Sequence, residues 1–156
     1  YVAYKCMFCF GVSSGFDGLA SIFRKNLGLI QVPIGDLRTQ SFKHTFITKH
    51  HFCEIEKKKL SLSEIFEKKL AYAYRSEMYT EKNVRLLDNT EEEIKNLVEE
   101  VYQRARNNFF MSKSDKSNQI NFWREYKRNI EILNIKHNHL FKGHMSRKFI
   151  INNLIK

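Results

Sequence analysis

A short, unbroken apolar run near the start of the chain restricts the folds open to it. Residues 6–12 read Cys-Met-Phe-Cys-Phe-Gly-Val, and a run of this length that stops at glycine is typical of a strand buried on both faces. A turn follows at residues 13–15, and the apolar residues of 16–23 have helical spacing. A second apolar run covers residues 27–32 and ends at Pro33. Strand, helix and strand in this order predict a βαβ unit and therefore a parallel sheet. The apolar positions that share one face of the predicted helix are Phe16, Leu19, Ala20 and Phe23.

Two later helix starts are marked by capping sequences. Ser61 and Thr90 each open the pattern S/T-x-x-E, in which the hydroxyl accepts from a helical amide while the glutamate reaches back to the cap. An apolar stripe with helical spacing follows Thr90. Residues 34–45 are polar and predict a long loop of the kind that carries function. The remaining predicted elements are strands at 46–49 and 84–87 and helices at 122–133 and 144–155.

The net charge of +10 is distributed unevenly. Residues 1–103 contain 15 basic and 14 acidic side chains, whereas residues 104–156 contain 12 basic and 3 acidic ones, so the two parts carry +1 and +9. We therefore predict three segments: an α/β lobe at 1–106, a linker at 107–119 and a basic helical tail at 120–156.

Composition excludes several classes of protein. No apolar run approaches the ~20 residues that cross a bilayer, and with 42% hydrophobic residues the chain is not disordered. Its three cysteines do not make a disulfide framework, which indicates a reducing compartment. The chain begins at Tyr1 without a recognisable signal peptide and inside what reads as a folded segment, so we expect an upstream portion. The expected location is the cytoplasm, with the inner membrane as a peripheral surface.

The strongest candidate for a ligand site is the segment from Gly11 to Gly15, which joins the first strand to its helix. Small residues let a ligand approach the backbone, the hydroxyls of Ser13 and Ser14 can donate, and the free amides of a helix start face an anion. A phosphate or diphosphate fits this chemistry, and a tight turn capped by Ser14 is the alternative. Asp17 either accepts from a sugar hydroxyl or simply complements the helix dipole.

A group of histidines in the middle of the chain offers a weaker site. The side chains that could ligate a metal there are His44, His50, His51 and Cys53. Metal binding needs three or four of them to converge, whereas two adjacent histidines on a strand point to opposite faces. We therefore predict no metal site and expect Lys49, Arg38 or His44 to line an anion pocket.

Cys6 and Cys9 form a C-x-x-C pattern. A redox pair needs a thiolate exposed at a helix N-terminus, and a zinc site needs a second such pair. Because both cysteines lie in an apolar run, we interpret them as small buried side chains.

The basic tail mixes cations with aromatic residues, a composition that suits nucleic acid or an anionic membrane surface. However, Phe122, Tyr126 and Ile130 recur at helical spacing. That spacing favours a docking face with the charges outside, so we consider nucleic acid an unlikely partner.

Short segments in a consistent order match one protein family over nearly the whole chain. They begin with Gly-Val-Ser-Ser-Gly-Phe-Asp at 11–17 and Phe-Arg-Lys at 23–25, and the most specific is Leu-Asp-Asn-Thr-Glu-Glu-Glu-Ile at 87–94. The other matching segments are 33–37, 46–49, 60–65, 74–79, 122–123 and 143–153. Departures occur at Asn26, where proline is usual, and at Gln31 or Val32, where asparagine is usual. With these segments the chain resembles a family of bacterial GT-B-like glycosyltransferases of the surface-polysaccharide type.

The resemblance implies the C-terminal, Rossmann-like lobe of a GT-B-type enzyme with a helical extension. Such a lobe binds a nucleotide diphosphate sugar as donor substrate, without a further cofactor, and transfers the sugar to a glycan or lipid-linked acceptor. The loop with Gly11, Ser13, Ser14 and Gly15 would hold the diphosphate, and the catalytic base would come from a missing N-terminal lobe, so no catalytic residue is assigned. The residues alone also allow a basic nucleic-acid-binding module or a non-catalytic interaction domain.

Overall fold

The computed structural model describes residues 1–37, 41–73, 75–132 and 142–153. The strands are β1 (Phe8–Gly11), β2 (Asn26–Val32), β3 (His44–Thr48), β4 (His50–Cys53), β5 (Lys58–Lys59), β6 (Val84–Leu87) and β7 (His144–Met145). The helices are α1 (Val2–Lys5), α2 (Asp17–Ile22), α3 (Leu62–Glu67), α4 (Ser76–Thr80), α5 (Glu91–Ala105), α6 (Lys113–Ile132) and α7 (Arg147–Asn153). Short 3-10 helices occupy Ile34–Asp36 and Leu70–Tyr72.

Four of the strands form a parallel sheet in the order β1-β2-β3-β7. The first two are joined through α2, so the predicted βαβ unit is confirmed. Strands β4, β5 and β6 form a second, antiparallel sheet, in which β6 lies at an edge as predicted. The chain is therefore a mixed α/β protein whose parallel sheet is compatible with a Rossmann-like fold.

Helices cover both faces of the parallel sheet. The ring of Phe8 lies 6.3 Å from that of Tyr102 on α5. Gly11, three residues further along β1 and on the opposite face, backs onto Asp17 of α2. On that second face Phe46 of β3 lies 6.0 Å from the ring of Phe122 on α6. The sheet is thus the middle layer, with α5 on one side and α2 and α6 on the other.

Helices α3, α5 and α6 start at capping sequences. Both predicted capping boxes, at Ser61 and Thr90, are present. A third reciprocal pair of capping hydrogen bonds joins Ser112 and Asp115. The backbone N–H of Asp115 donates to the Ser112 hydroxyl at 3.1 Å, and the backbone N–H of Ser112 donates to the Asp115 carboxylate at 2.9 Å. Helix α6 therefore begins at Lys113, inside the segment that we predicted to be a linker.

The C-terminal segment packs onto the body of this chain. Phe122, Tyr126 and Ile130 are at most 4% exposed, and the Tyr126 hydroxyl donates to the carbonyl of Ile34 at 3.1 Å. The face that was expected to dock is thus occupied by the chain's own core, and its aromatic rings are closed to stacking with bases. The predicted helix at 144–155 starts later than expected, because its first residues form β7.

Helix α2 is formed as predicted but leaves most of its apolar face uncovered. Ala20 is 2% exposed, whereas Phe16 is 73% and Phe23 is 40% exposed. The helix has six residues and lies over the edge strand β1 and its neighbour β2, so only its inner side meets the sheet. Among the described residues, no helix combines the length and the apolar character needed to cross a membrane.

Candidate functional site

Three neighbouring strands of the parallel sheet end at the same edge. Strand β1 ends at Gly11, β2 at Val32 and β3 at Thr48. In open α/β sheets, ligands bind beyond the carboxyl ends of the strands. The loop after β1 and Lys49 after β3 both lie at this edge, and the strands that carry them are two spacings apart, about 10 Å across the sheet. We call this region the carboxyl edge.

The loop after β1 is organised by Asp17. This side chain is 8% exposed, and its Oδ2 atom accepts a hydrogen bond from the backbone N–H of Ser14 at 2.7 Å. A Cβ atom at Gly11 would overlap the same carboxylate, so the absence of a side chain at Gly11 makes room for Asp17. Ser13 adopts a left-handed conformation with φ of 64°, which turns the chain from the strand into the loop.

This geometry limits how the loop could hold an anion. The Ser14 amide is already bonded to a carboxylate, and a negative charge beside it repels phosphate. Ser14 and Gly15 are exposed, and Ser13 is half-buried. The two serine hydroxyls and the Gly15 backbone are therefore the groups of this loop that a diphosphate could reach. Asp17 has the geometry of a residue that holds the loop, since one of its oxygens is bonded to Ser14 and the other lies against Gly11.

Lys49 follows β3 directly and provides a cation at this edge. Its Nζ atom lies 2.6 Å from Oδ1 of Asp88. The Asp88 side chain is 72% exposed and that of Lys49 is 27% exposed, so solvent screens the pair and an incoming anion can share the ammonium group. Arg38, the other predicted cation, lies outside the described residues.

A hydrogen-bond network that the sequence analysis missed lies between these two parts. The side chain of Asn89, which is 7% exposed, accepts from the backbone N–H of Gln31 at 2.9 Å and donates to the carbonyl of Thr48 at 2.8 Å. Gln31 has φ of 56°, and the β2–β3 register shifts between Leu29 and Val32. Asn89 therefore bridges the irregular end of β2 to the end of β3. In the sequence it lies immediately before a capping box and inside the matching segment 87–94, and neither feature indicates its partners on β2 and β3.

Two of the four candidate metal ligands have partners in different parts of the fold. Nε2 of His44 lies 3.0 Å from the hydroxyl of Ser21 on α2, and burial lowers the pKa of His44. Nε2 of His50 lies 2.9 Å from the Glu93 carboxylate at the start of α5. These two rings do not approach a common point.

The other two candidate metal ligands, His51 and Cys53, contact different residues from His44 and His50. His51 is 1% exposed and lies 5.8 Å from the ring of Tyr79; burial lowers the pKa of His51 to about 4. The Cys53 thiol donates to the carboxylate of Glu56 at 3.7 Å. Over the described part of the chain, no three such side chains are grouped so that they could hold a metal ion.

The two cysteines of the C-x-x-C pattern are in contact. Their Sγ atoms are 3.3 Å apart. Cys9 lies in β1, whereas Cys6 precedes it. Burial, together with the hydrogen bond to Cys6, raises the pKa of Cys9 to about 11. A thiol with such a pKa stays protonated at neutral pH, unlike the thiolate of a redox or nucleophilic cysteine.

Comparison with known proteins adds no relative to this description. The chain matches no protein-family model, no curated protein and no solved structure. The choice of function therefore depends on the sequence pattern and on the geometry of the carboxyl edge.

Proposed function

We propose that this chain is the nucleotide-sugar-binding lobe of a GT-B-like glycosyltransferase, and that the donor lies across the carboxyl edge. The observation that carries the proposal is the placement of the serine-containing loop and Lys49 at one edge of a parallel sheet. Their strands are two spacings apart, about 10 Å across the sheet. A diphosphate that extends from the loop toward the Lys49 side chain fits between them.

Each group at this edge has a role in the proposed reaction. The hydroxyls of Ser13 and Ser14 and the Gly15 amide contact the diphosphate. During transfer, the bond between the sugar and the diphosphate oxygen breaks, and the nucleoside diphosphate leaves with additional negative charge. A cation near that oxygen stabilises the leaving group, and Lys49 is the described candidate. The sugar passes to a hydroxyl of a glycan or lipid-linked acceptor, whose proton is removed by a base from the other lobe.

Charges already present at the edge set the strength of binding. Asp17 and Asp88 are both acidic, but the Ser14 amide binds the first and the Lys49 ammonium binds the second. The amide hydrogen bond does not cancel the charge of Asp17, so Asp17, Asp88 and Lys49 together carry one net negative charge. We expect this chain to bind a nucleoside diphosphate weakly, with the remaining contacts supplied by the second lobe.

A titration with UDP and with GDP, followed by amide NMR spectra of the ¹⁵N-labelled chain, tests the proposal. We expect shifts confined to residues 12–16 and the surroundings of Lys49. A variant with Ser13→Ala and Ser14→Ala should weaken binding at least threefold, because about 1 kcal/mol is lost per neutral hydrogen bond. The matched control replaces two exposed serines outside the loop, Ser63 in α3 and Ser117 in α6, by alanine. Unchanged affinity in the loop variant, or shifts outside the carboxyl edge, would refute the site.

A further inference from the structure

The opposite edge of the parallel sheet, where the strands begin, carries a row of basic and aromatic side chains. Basic residues precede all four strands: Lys5 before β1, Lys25 before β2, Lys43 before β3 and Lys142 before β7. Aromatic residues accompany two of them, since Tyr4 precedes Lys5 and Phe42 precedes Lys43. We call these six residues the amino-edge row.

Strand register aligns the four strand starts beside which these residues lie, Tyr4 and Lys5 themselves being part of α1. Phe8 pairs with Asn26, Leu27 with His44, and Thr45 with His144, so successive strands begin within about one residue of each other. Adjacent strands lie about 4.8 Å apart, and four of them extend over about 15 Å. The amino-edge row therefore follows one edge of the sheet. Lysines distributed at random over the surface would not be aligned in this way.

Ring contacts position several cations of the row. The Nζ atoms of Lys5 and Lys25 lie 5.4 Å and 5.8 Å from the centroid of the Tyr4 ring. The Nζ atom of Lys142 lies 5.7 Å from the centroid of the Phe42 ring. Lys43 donates to the backbone carbonyl of Arg24 at 2.9 Å. Within the described residues, no ion pair joins a lysine of the row to a carboxylate.

Exposed apolar side chains lie beside these cations. Phe42 is 66% exposed and Tyr4 is 56% exposed. Phe42 and Ile120, which is 64% exposed, line a groove of about 360 Å³ whose other walls include Trp123 and Lys142. Near the first strand, Val2 is 79% exposed. The edge thus combines lysines with protruding aromatic and aliphatic groups.

We propose that the amino edge binds the surface of an anionic membrane. Exposed aromatic and aliphatic side chains enter the boundary between headgroups and acyl chains, and lysines nearby are attracted to anionic lipids. A single-stranded nucleic acid fits less well, because base stacking needs free ring faces. Here the chain's own lysines lie over Tyr4 and Phe42, and the aliphatic Val2 and Ile120 cannot stack with bases.

Membrane binding at this edge leaves the carboxyl edge open. All four strands are parallel, so their starting and final ends face opposite directions. Most residues of the amino-edge row belong to the α/β body, and membrane binding there does not depend on glycosyl transfer.

Vesicle flotation of the full chain tests the proposal. The probes are vesicles of phosphatidylcholine alone and vesicles with about 30 mol% phosphatidylglycerol, whose surface is negative. The edge variant reverses three lysines of the row and combines Lys25→Glu, Lys43→Glu and Lys142→Glu. A control with the same change in net charge reverses three exposed lysines elsewhere and combines Lys57→Glu, Lys82→Glu and Lys95→Glu. Thermal melts by circular dichroism establish that both variants are folded.

We expect the chain to float with the anionic vesicles and to be released by about 0.5 M salt, which screens surface charges. The edge variant should lose at least tenfold in partitioning, and the control less than threefold. Phe42→Ser should weaken binding to anionic vesicles while the salt dependence persists. Equal binding to both kinds of vesicle, equal losses in the two variants, or tighter binding to a thymidine oligonucleotide than to vesicles would each overturn the proposal.

Discussion

Gln31 and Asn89, 58 residues apart in sequence, exchange two hydrogen bonds at the carboxyl edge. The N–H of Gln31 donates to Oδ1 of Asn89, and the N–H of Asn89 donates to Oε1 of Gln31, both at 2.9 Å. The end of β2 is thereby fixed to the residue that precedes the cap of α5. Backbone groups that the irregular register leaves without ladder partners are satisfied by side chains instead.

Replacing Asn89 by alanine should destabilise the protein. The change leaves the Gln31 amide and the Thr48 carbonyl without their partners, and each unsatisfied buried group costs about 1–3 kcal/mol. We expect the free energy of unfolding in urea to fall by about 2–4 kcal/mol, and Asn89→Asp, which keeps the acceptor, to lie in between. The control is Asn152→Ala at an exposed position of α7. A loss below 0.5 kcal/mol, on the order expected of a surface change, would contradict the role of Asn89.

Removing the charge of Asp88 should strengthen nucleotide binding. Its carboxylate lies beside the Lys49 ammonium and competes with a phosphate for it. The exposed ion pair contributes about 0–1 kcal/mol to stability, so Asp88→Asn should fold normally. We expect UDP or GDP to bind about two- to fivefold more tightly, since charges a few ångströms apart in water interact by about 1 kcal/mol. Glu81→Gln, at an exposed position elsewhere, should leave the affinity unchanged. Weaker binding to Asp88→Asn would place the phosphate away from Lys49.

Two glycines should respond to alanine in opposite directions. A Cβ atom at Gly28 in β2 would overlap the ring of Phe10 on β1, and overpacking of a core costs about 1–3 kcal/mol. Gly18 in α2 has open space around its Cα, and alanine there should stabilise the helix by about 0.5–1 kcal/mol. Urea denaturation of both variants measures the contrast. If Phe10 causes the loss, Phe10→Leu in the Gly28→Ala background should recover part of it.

Acid should destabilise the protein before its carboxylates are protonated. Burial lowers the pKa of His51 to about 4 and that of His144 to about 4, whereas an unfolded histidine titrates near 6.5. The unfolded chain therefore binds more protons between these values, and stability falls as the pH falls from about 6.5 to 4. For His51 the full effect is on the order of 3 kcal/mol. His51→Leu should flatten the dependence of the urea midpoint on pH between 7 and 5 (about the range in which histidine titrates). An unchanged slope would show that His51 is protonated in the folded state.

Local patterns in the sequence were sufficient for those parts of the fold that short segments determine. The apolar runs that became β1 and β2 and the two capping boxes depend on contacts within a few residues, and all are found. The cap at Ser112 has the same kind of pattern, with aspartate in place of glutamate. The polar composition around it suggested a linker, although a 20-residue helix follows.

Contacts between distant residues account for what the sequence could not predict. Asn89 belongs to the site because its hydrogen-bond partners lie on β2 and β3. Asp17 can hold the loop because Gly11, which has no side chain, leaves room for its carboxylate. The exposed side of α2 shows the same limit. Helical spacing predicts which residues share a face, but only the position of the helix over the sheet decides whether Phe16 is covered.

The late position of β7 in the chain has a consequence for biosynthesis. His144 and Met145 pair with Thr45 and Phe46, and Gln119 of α6 exchanges hydrogen bonds with both backbone groups of Met145. Strand β3 is therefore synthesised long before β7, the strand that pairs with its outer edge. Until then β3 has an open hydrogen-bonding edge, which can pair with another nascent chain. Completion of the sheet must wait until β7 has been synthesised, so a chaperone that shields β3 in that interval would raise the yield of native protein.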